Sequence, residues 1–309
     1  MGGKKIYLKG ACTPPDTSKS PPTAYCFSQL KQGTYLIRLN HKREEVFVTN
    51  DRNKTILELP KGKPEFNISA ALLHIIAMAL MLMDHLWATL LPAQDWLTCA
   101  GRLAFPIFAF MTVEGYFHTR SFKKYILRLL LFAVLSEIPF DLMYGGTWFY
   151  PVHQNVIWTF LIGLSGIHLM EAARKKKKLW LFLPVSALVV LAGVILGTIC
   201  MVDYYGAGVL MVFIFYFFRG RKWWCLAGQL LTLYWVNVEL LGGLMYPICL
   251  FGMDIELCQQ GLALLALIPI WLYRGRQGYH SKTFQLSCYA FYPVHMLILV
   301  LILNYVNSF

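Results

Sequence analysis

The chain has 309 residues, of which 57% are hydrophobic and 14% charged, with a mean hydropathy of +0.52. Soluble domains carry about 25% charged residues, and the apolar residues here come in long blocks. A soluble two-domain protein is therefore excluded, and an all-α polytopic membrane protein is expected. The net charge of +12 would suggest a nucleic-acid partner if it lay on one soluble face. It is instead distributed between apolar runs, at Lys61/Lys63, Arg120/Lys123/Lys124/Arg128, Arg174–Lys178, Arg219/Arg221/Lys222 and Arg274/Arg276/Lys282. Cytoplasmic loops of membrane proteins carry their bases in this way, so the bilayer is the expected partner and nucleic acid is not.

Residues 1–66 differ in kind from the rest. Pro14, Pro15, Pro21 and Pro22 among Ser and Thr mark a loose start. Thr34–Asn40, Glu44–Asn50 and Thr55–Leu59 then alternate apolar and polar residues, which predicts a small three-stranded meander. A segment of this size rarely folds alone, and a cytosolic cap or tether is the expected role. No apolar run near the N-terminus reads as a cleavable signal peptide.

Residues 67–309 form the second domain, with about nine to ten transmembrane helices. Clear segments run near 68–91, 103–119, 124–143, 154–172, 179–201, 206–219, 259–273 and 284–304. The stretch 223–252 is long enough for one tilted helix, yet Gly242-Gly243 offers a break within it. The loops near 92–101, 144–153 and 202–205 hold no Lys or Arg, whereas those at 120–124, 174–178 and 219–222 hold many. Alternation from a cytoplasmic N-terminus follows. The basic loop at Arg274, Arg276 and Lys282 is cytoplasmic only if 223–252 makes one net crossing. This gives about nine crossings, with the C-terminus outside.

Ionisable groups at membrane depth are costly and tend to mark function. Asp84 and His85 lie in the outer half of the first helix. His74, Met81 and His85 share a face, because eleven residues make about three turns and about 16 Å of rise. Asp84 points about 100° away from His85 and is expected to pair with another helix. Arg102 opens the second helix. Glu114 and His118 lie four apart near that helix's inner end, as do Tyr116 and Arg120. Glu137 and Asp141 lie four apart in the third helix, His153-Gln154-Asn155 begin the fourth, Asp203 follows the fifth and His295 lies mid-membrane in the last. Under this topology His85, Arg102, Glu137, Asp141, His153 and Asp203 converge on the outer half. His118 and His295 read equally as interhelical hydrogen-bonding groups. The eight cysteines include no Cys-x-x-Cys, so neither a disulfide framework nor a cysteine zinc site is expected. No His-x-x-x-His spacing supports a metal, and none is expected.

The strings Ile76-Ala77-Met78, Leu82-Met83-Asp84-His85, Gly101-Arg102-Leu103-Ala104-Phe105-Pro106-Ile107-Phe108-Ala109-Phe110, Val113-Glu114-Gly115-Tyr116 and Ser136-Glu137-Ile138-Pro139-Phe140-Asp141 resemble the TraX family. His153-Gln154-Asn155-Val156 and Tyr292-Pro293-Val294-His295 extend the likeness over about residues 68–309. The best-known member of that family is a conjugal-transfer protein associated with N-terminal acetylation of pilin. Its layout is similar to that of multi-pass membrane acyltransferases that use acyl-CoA.

The resemblance implies an acyltransferase moving acetyl from acetyl-CoA to an amine or hydroxyl of an unidentified peptide or glycan, with His85 matching the proposed catalytic histidine. The chemistry needs a base for the acceptor's proton and donors for the developing oxyanion. His85 suits the first task. Asp84, Glu137 and Asp141 complete the catalytic candidates, with Glu137 or Asp141 orienting the imidazole. Arg102, His153, Gln154, Asn155 and His74 are substrate or oxyanion candidates, and Arg120, Lys123 and Lys124 would meet the phosphates of CoA. A headgroup inside and a base outside require the thioester arm to lie along the His74–His85 stripe. The alternatives are a transporter or permease using the same intramembrane groups, and a non-catalytic assembly protein docking through residues 1–66.

Overall fold

A computed structural model describes residues 67–250 and 253–308, together with the backbone of four segments before them. The chain divides into two units, Met1–Phe66 and Asn67–Phe309. In the first, β1 (Tyr25–Leu30), β2 (Gly33–Asn40), β3 (Glu45–Asn50) and β4 (Asn53–Glu58) pair antiparallel in sequence order. The turns on which the expected meander depends, at 41–44 and 51–52, lie outside the described residues.

The second unit is helical. Its elements are α1 (Ala70–Thr89), α2 (Asp95–Gly101), α3 (Ala104–His118), α4 (Phe122–Tyr144), α5 (Val156–Arg174), α6 (Leu179–Ile199), α7 (Tyr205–Phe217), α8 (Trp223–Tyr234), α9 (Leu267–Leu272) and α10 (Lys282–Val306). Among the described residues, five helical stretches are long and apolar enough to cross a membrane: α1, α2 with α3, α5, α6 and α10. This is a membrane protein.

Local chemistry sets several starts. Ser69, Asn155 and Ser281 each accept a backbone N–H from the first turn of α1, α5 and α10, which satisfies a donor the helix itself leaves open. The chain departs from the expected span at 223–252. A π-helical turn at Trp235–Leu241 extends α8 and stops at Gly242 and Gly243, whose φ angles of 61° and 128° suit glycine alone. An antiparallel hairpin follows, β5 (Met245–Leu250) with β6 (Met253–Cys258), and the chain returns through a 3₁₀ turn at Gln259–Ala266 into α9. The stretch thus becomes a helix and a hairpin. The region near 92–101, expected to be loop, is largely α2.

In lipid, helices associate through packing and hydrogen bonds. The short α7 is the packing centre, with ten of its thirteen residues buried between α3, α5 and α6. Polar glue joins the later elements: buried Gln260 donates to Asn237 at 3.0 Å, and Trp271 donates to Gln229 at 2.9 Å.

The bundle has two chemically distinct ends. At one, Ala70 N–H donates to the Arg276 carbonyl at 2.8 Å, Arg221 donates to the Tyr273 carbonyl at 2.8 Å, and Arg219 reaches Glu114 at 2.6 Å. This end gathers the basic clusters from Arg120 through Lys282. At the other, the loop at Gln154 bridges Val202. Among the described residues, the loops of that far end carry Arg102 and no other Lys or Arg.

Candidate active site

The site begins on the buried face of α1, where Leu73, Ala77, Met81 and His85 recur at helical spacing. His85 is 7% exposed. Its partner is His295 of α10: His85 Nδ1 and His295 Nε2 lie 2.7 Å apart, and the rings meet edge to edge, with centroids 4.9 Å apart and planes at 12°. Two tyrosines border the pair. The rings of Tyr144 at the end of α4 and of Tyr292 in α10 each have centroids 6.2 Å from that of His85.

One residue away, Asp84 faces a different element. It accepts from Arg102 Nη2 at 2.5 Å and from Thr98 Oγ1 at 2.8 Å, and Arg102 also donates to Thr98 Oγ1 at 2.8 Å. Arg102 stands at the break between α2 and α3. Preceding Gly101 permits the approach, since a Cβ there would lie 2.4 Å from Asp84 Cβ. Gly101→Ala is therefore expected to lower stability by about 1–3 kcal/mol through overpacking, and to weaken the Asp84–Arg102 pair. Thermal unfolding in detergent, followed by circular dichroism, measures the first effect.

The far side of the site is built from loops. His153 Nε2 lies 3.4 Å from Asp203 Oδ1. Backbone bonds between Gln154 and residues Met201 and Asp203, with Thr159 Oγ1 donating to the Asp203 carbonyl at 2.7 Å, hold the two loops together. Tyr144 stands between the histidines, its ring centroid 5.5 Å from that of His153. A continuous polar cluster results, running from His295 through His85 and Tyr144 to His153 and Asp203, with Asp84 and Arg102 beside it.

From the basic end a cavity of about 680 Å³ runs into the bundle. His118, Arg120, Arg128 and His280 line its mouth, and Met81 and Tyr292 lie in its inner wall. Met81 is about one turn from His85, and the Tyr292 ring centroid is 6.0 Å from that of His295. The volume falls within the range of small-molecule sites, roughly 300–1,000 Å³.

A sequence profile of the TraX protein matches residues 69–303, which takes in α1 through most of α10. This protein belongs to the TraX family. It is also similar, at 33% identity over 119 residues, to a protein named "Probable fimbrial assembly protein FimC, serogroup H1" from Dichelobacter nodosus. That match covers 35% of the chain and 48% of the relative, so the chain spans about half the length of this curated relative. No solved structure matches.

In this TraX-family protein the expected site residues divide. His85, Asp84, Arg102 and His153 meet in one cluster. Glu137 and Asp141 do not orient His85: Glu137 accepts from Trp158 Nε1 at 2.8 Å and from Asn155, while Asp141 accepts the Tyr150 backbone N–H at 3.0 Å. The reason is rotational, because α4 turns these carboxylates toward α5 and toward its own following loop. Asn155 is no spare oxyanion donor. Its side chain caps α5, donates to the Ala133 carbonyl at 2.9 Å and clamps Glu137. Gln154 donates to the Pro151 carbonyl at 2.9 Å.

His74 lies apart from the cluster and lines the cavity nearer the basic end. Arg120 lines the mouth, but Lys123 and Lys124 are exposed and do not; Arg128, one helical turn on from Lys124, does. Sequence reasoning missed Tyr144 and Thr98. Tyr144 carries a faint signal, lying one turn beyond Asp141 in a helix already rich in polar groups.

Proposed function

We propose that this protein is an integral-membrane acetyltransferase that takes acetyl from acetyl-CoA at its basic end and delivers it to an amine or hydroxyl on the opposite side. The observation that carries the reading is the cavity, which starts among Arg120 and Arg128 and ends one helical turn from His85. The bases Arg120 and Arg128 in its lining suit the phosphates of CoA, and its volume of about 680 Å³ lies in the small-molecule range. The positive-inside rule makes the basic end cytoplasmic. The crossings are then α1, α2 with α3, α4, α5, α6, α7, α8 with its π turn, the Gln259–Leu272 return, and α10, or about nine. The hairpin lies outside together with the C-terminus, and residues 1–66 form a cytosolic β-rich segment.

In this mechanism the acceptor nitrogen or oxygen attacks the thioester carbonyl while His85 Nε2 takes its proton. The C–S bond then breaks, and the CoA thiolate leaves with a proton returned by the imidazolium. Arg102 is held beside His85 by its ion pair with the preceding residue, Asp84. Its Nη1 has no acceptor among the described residues, so it is available to a developing oxyanion. The family's link to pilin acetylation and the fimbrial-assembly name of the relative support a pilin-type acceptor and a role in pilus assembly.

Two measurements test this. Purified protein in nanodiscs is expected to transfer label from acetyl-CoA to a peptide amine, and absence of transfer or hydrolysis with every acceptor tried would reject the reading. Cys288 lines the cavity. In a variant whose other cysteines are serine, acetyl-CoA is expected to slow maleimide labelling of Cys288 about tenfold or more; equal rates with and without acetyl-CoA would place the donor elsewhere.

A further inference from the structure

We propose that His295 is a positioning residue that sets the tautomer of His85, leaving His85 Nε2 as the open proton acceptor. Its use in catalysis rests on the acetyltransferase reading, but the tautomer itself stands on geometry alone.

The direction of the chain follows from its last member. His295 Nδ1 lies 2.6 Å from the Phe291 carbonyl oxygen. A carbonyl can only accept, so His295 carries its proton on Nδ1. A neutral His295 then presents an unprotonated Nε2. His85 Nδ1, 2.7 Å away, must be the donor, and so the neutral His85 holds its proton on Nδ1. Its Nε2 lone pair remains, and no hydrogen bond to that atom occurs among the described residues. Fixing one ring nitrogen as donor decides the role of the other.

Among the described residues no other acceptor bonds His85 Nδ1. Asp84, the nearest carboxylate in sequence, is committed to Arg102 and Thr98. The facing groups are the Tyr144 and Tyr292 rings, with Arg102 within electrostatic reach. A neutral acceptor in place of a carboxylate leaves the proton-loaded His85 as a net cation beside Arg102. That favours prompt return of the proton to a leaving thiolate.

The test uses full-length protein in nanodiscs with ¹⁵N-labelled histidine, and His85→Gln identifies the His85 signals. Gln places a carbonyl oxygen where His295 has Nε2, so His295→Gln keeps an acceptor. Phe fills the space and offers none. The expected result is a pyridine-type Nε2 for His85 in the wild type and in His295→Gln, and mixed tautomers in His295→Phe. Acetyl transfer is expected to stay within about tenfold in His295→Gln and to fall about 10²–10⁴-fold in His295→Phe, the range that general-base loss and tautomer misassignment cover.

A protonated His85 Nε2 in the wild type overturns the proposal, as does equal activity of the Gln and Phe variants. The spectrum needs no acyl donor. An inactive wild type that still shows a pyridine-type Nε2 rejects the acetyltransferase reading and upholds the tautomer assignment.

Discussion

His85→Ala is expected to lower acetyl transfer at least 10²–10⁴-fold while the protein remains folded and inserted. General-base catalysis by a placed side chain contributes about that factor, and among the described residues no other imidazole with an open nitrogen adjoins His85 and His295 to replace it. His153 lies on the far side of Tyr144 and is engaged with Asp203. His74 sits about 16 Å back along α1. Removing the imidazole also strands the Nε2 lone pair of His295, so a modest loss of stability accompanies the loss of activity. His85→Asn separates the two effects, since its side-chain N–H can occupy the Nδ1 position and still donate to His295, yet it cannot take a proton. Steady-state transfer from labelled acetyl-CoA, with thermal unfolding alongside, measures both. Activity in His85→Asn within threefold of wild type would remove this residue from the reaction.

The second large effect is expected at the Asp84–Arg102 pair. The two side chains are 17% and 19% exposed and meet at 2.5 Å, so each offsets part of the other's desolvation cost. Arg102→Ala leaves a carboxylate at membrane depth with only Thr98 for company, and should cost about 3–5 kcal/mol, as breaking a buried ion pair does. Asp84→Ala should cost a similar amount. The double variant Asp84→Leu/Arg102→Met is expected to recover most of the loss, because removing both charges also removes their desolvation cost. Such recovery distinguishes an ion pair from ordinary interhelical hydrogen bonding, which contributes only about 0.6 kcal/mol on average in membranes. Reversible unfolding in mixed micelles gives the four free energies. Additive losses would mean that the two residues act independently, contrary to the observed geometry. The double variant should also transfer acetyl poorly, since Arg102 is the oxyanion donor in the proposed mechanism.

Part of the site was legible in the sequence because it lies on one helix. The stripe His74–Met81–His85 follows from a period of 3.6 residues, and so does the divergence of Asp84 from His85. The expectation that Asp84 pairs with another helix is met by Arg102. The choice of Glu137 and Asp141 as orienting groups failed for a reason that periodicity cannot reveal. Both carboxylates lie in the correct half of α4, but depth is only one coordinate, and the rotation of α4 against α5 sends them to Asn155, Trp158 and Tyr150. The span at 223–252 was ambiguous for a different reason. Hydropathy does not distinguish a membrane helix from an apolar hairpin, and the positive φ angles at Gly242 and Gly243 end the helix there.

By itself the sequence determined the class of molecule, the chemically distinct ends and the family, because blocks of apolar residues, charged loops and contiguous motifs are all local properties of the chain. Only the tertiary structure decided that His85 meets His295, 210 positions away; that Tyr144 stands between His85 and His153; and that a cavity from the basic end stops one turn short of the pair. Those facts depend on how helices rotate and pack against one another. That packing is settled by the whole bundle at once, through contacts whose partners no spacing within a single helix encodes.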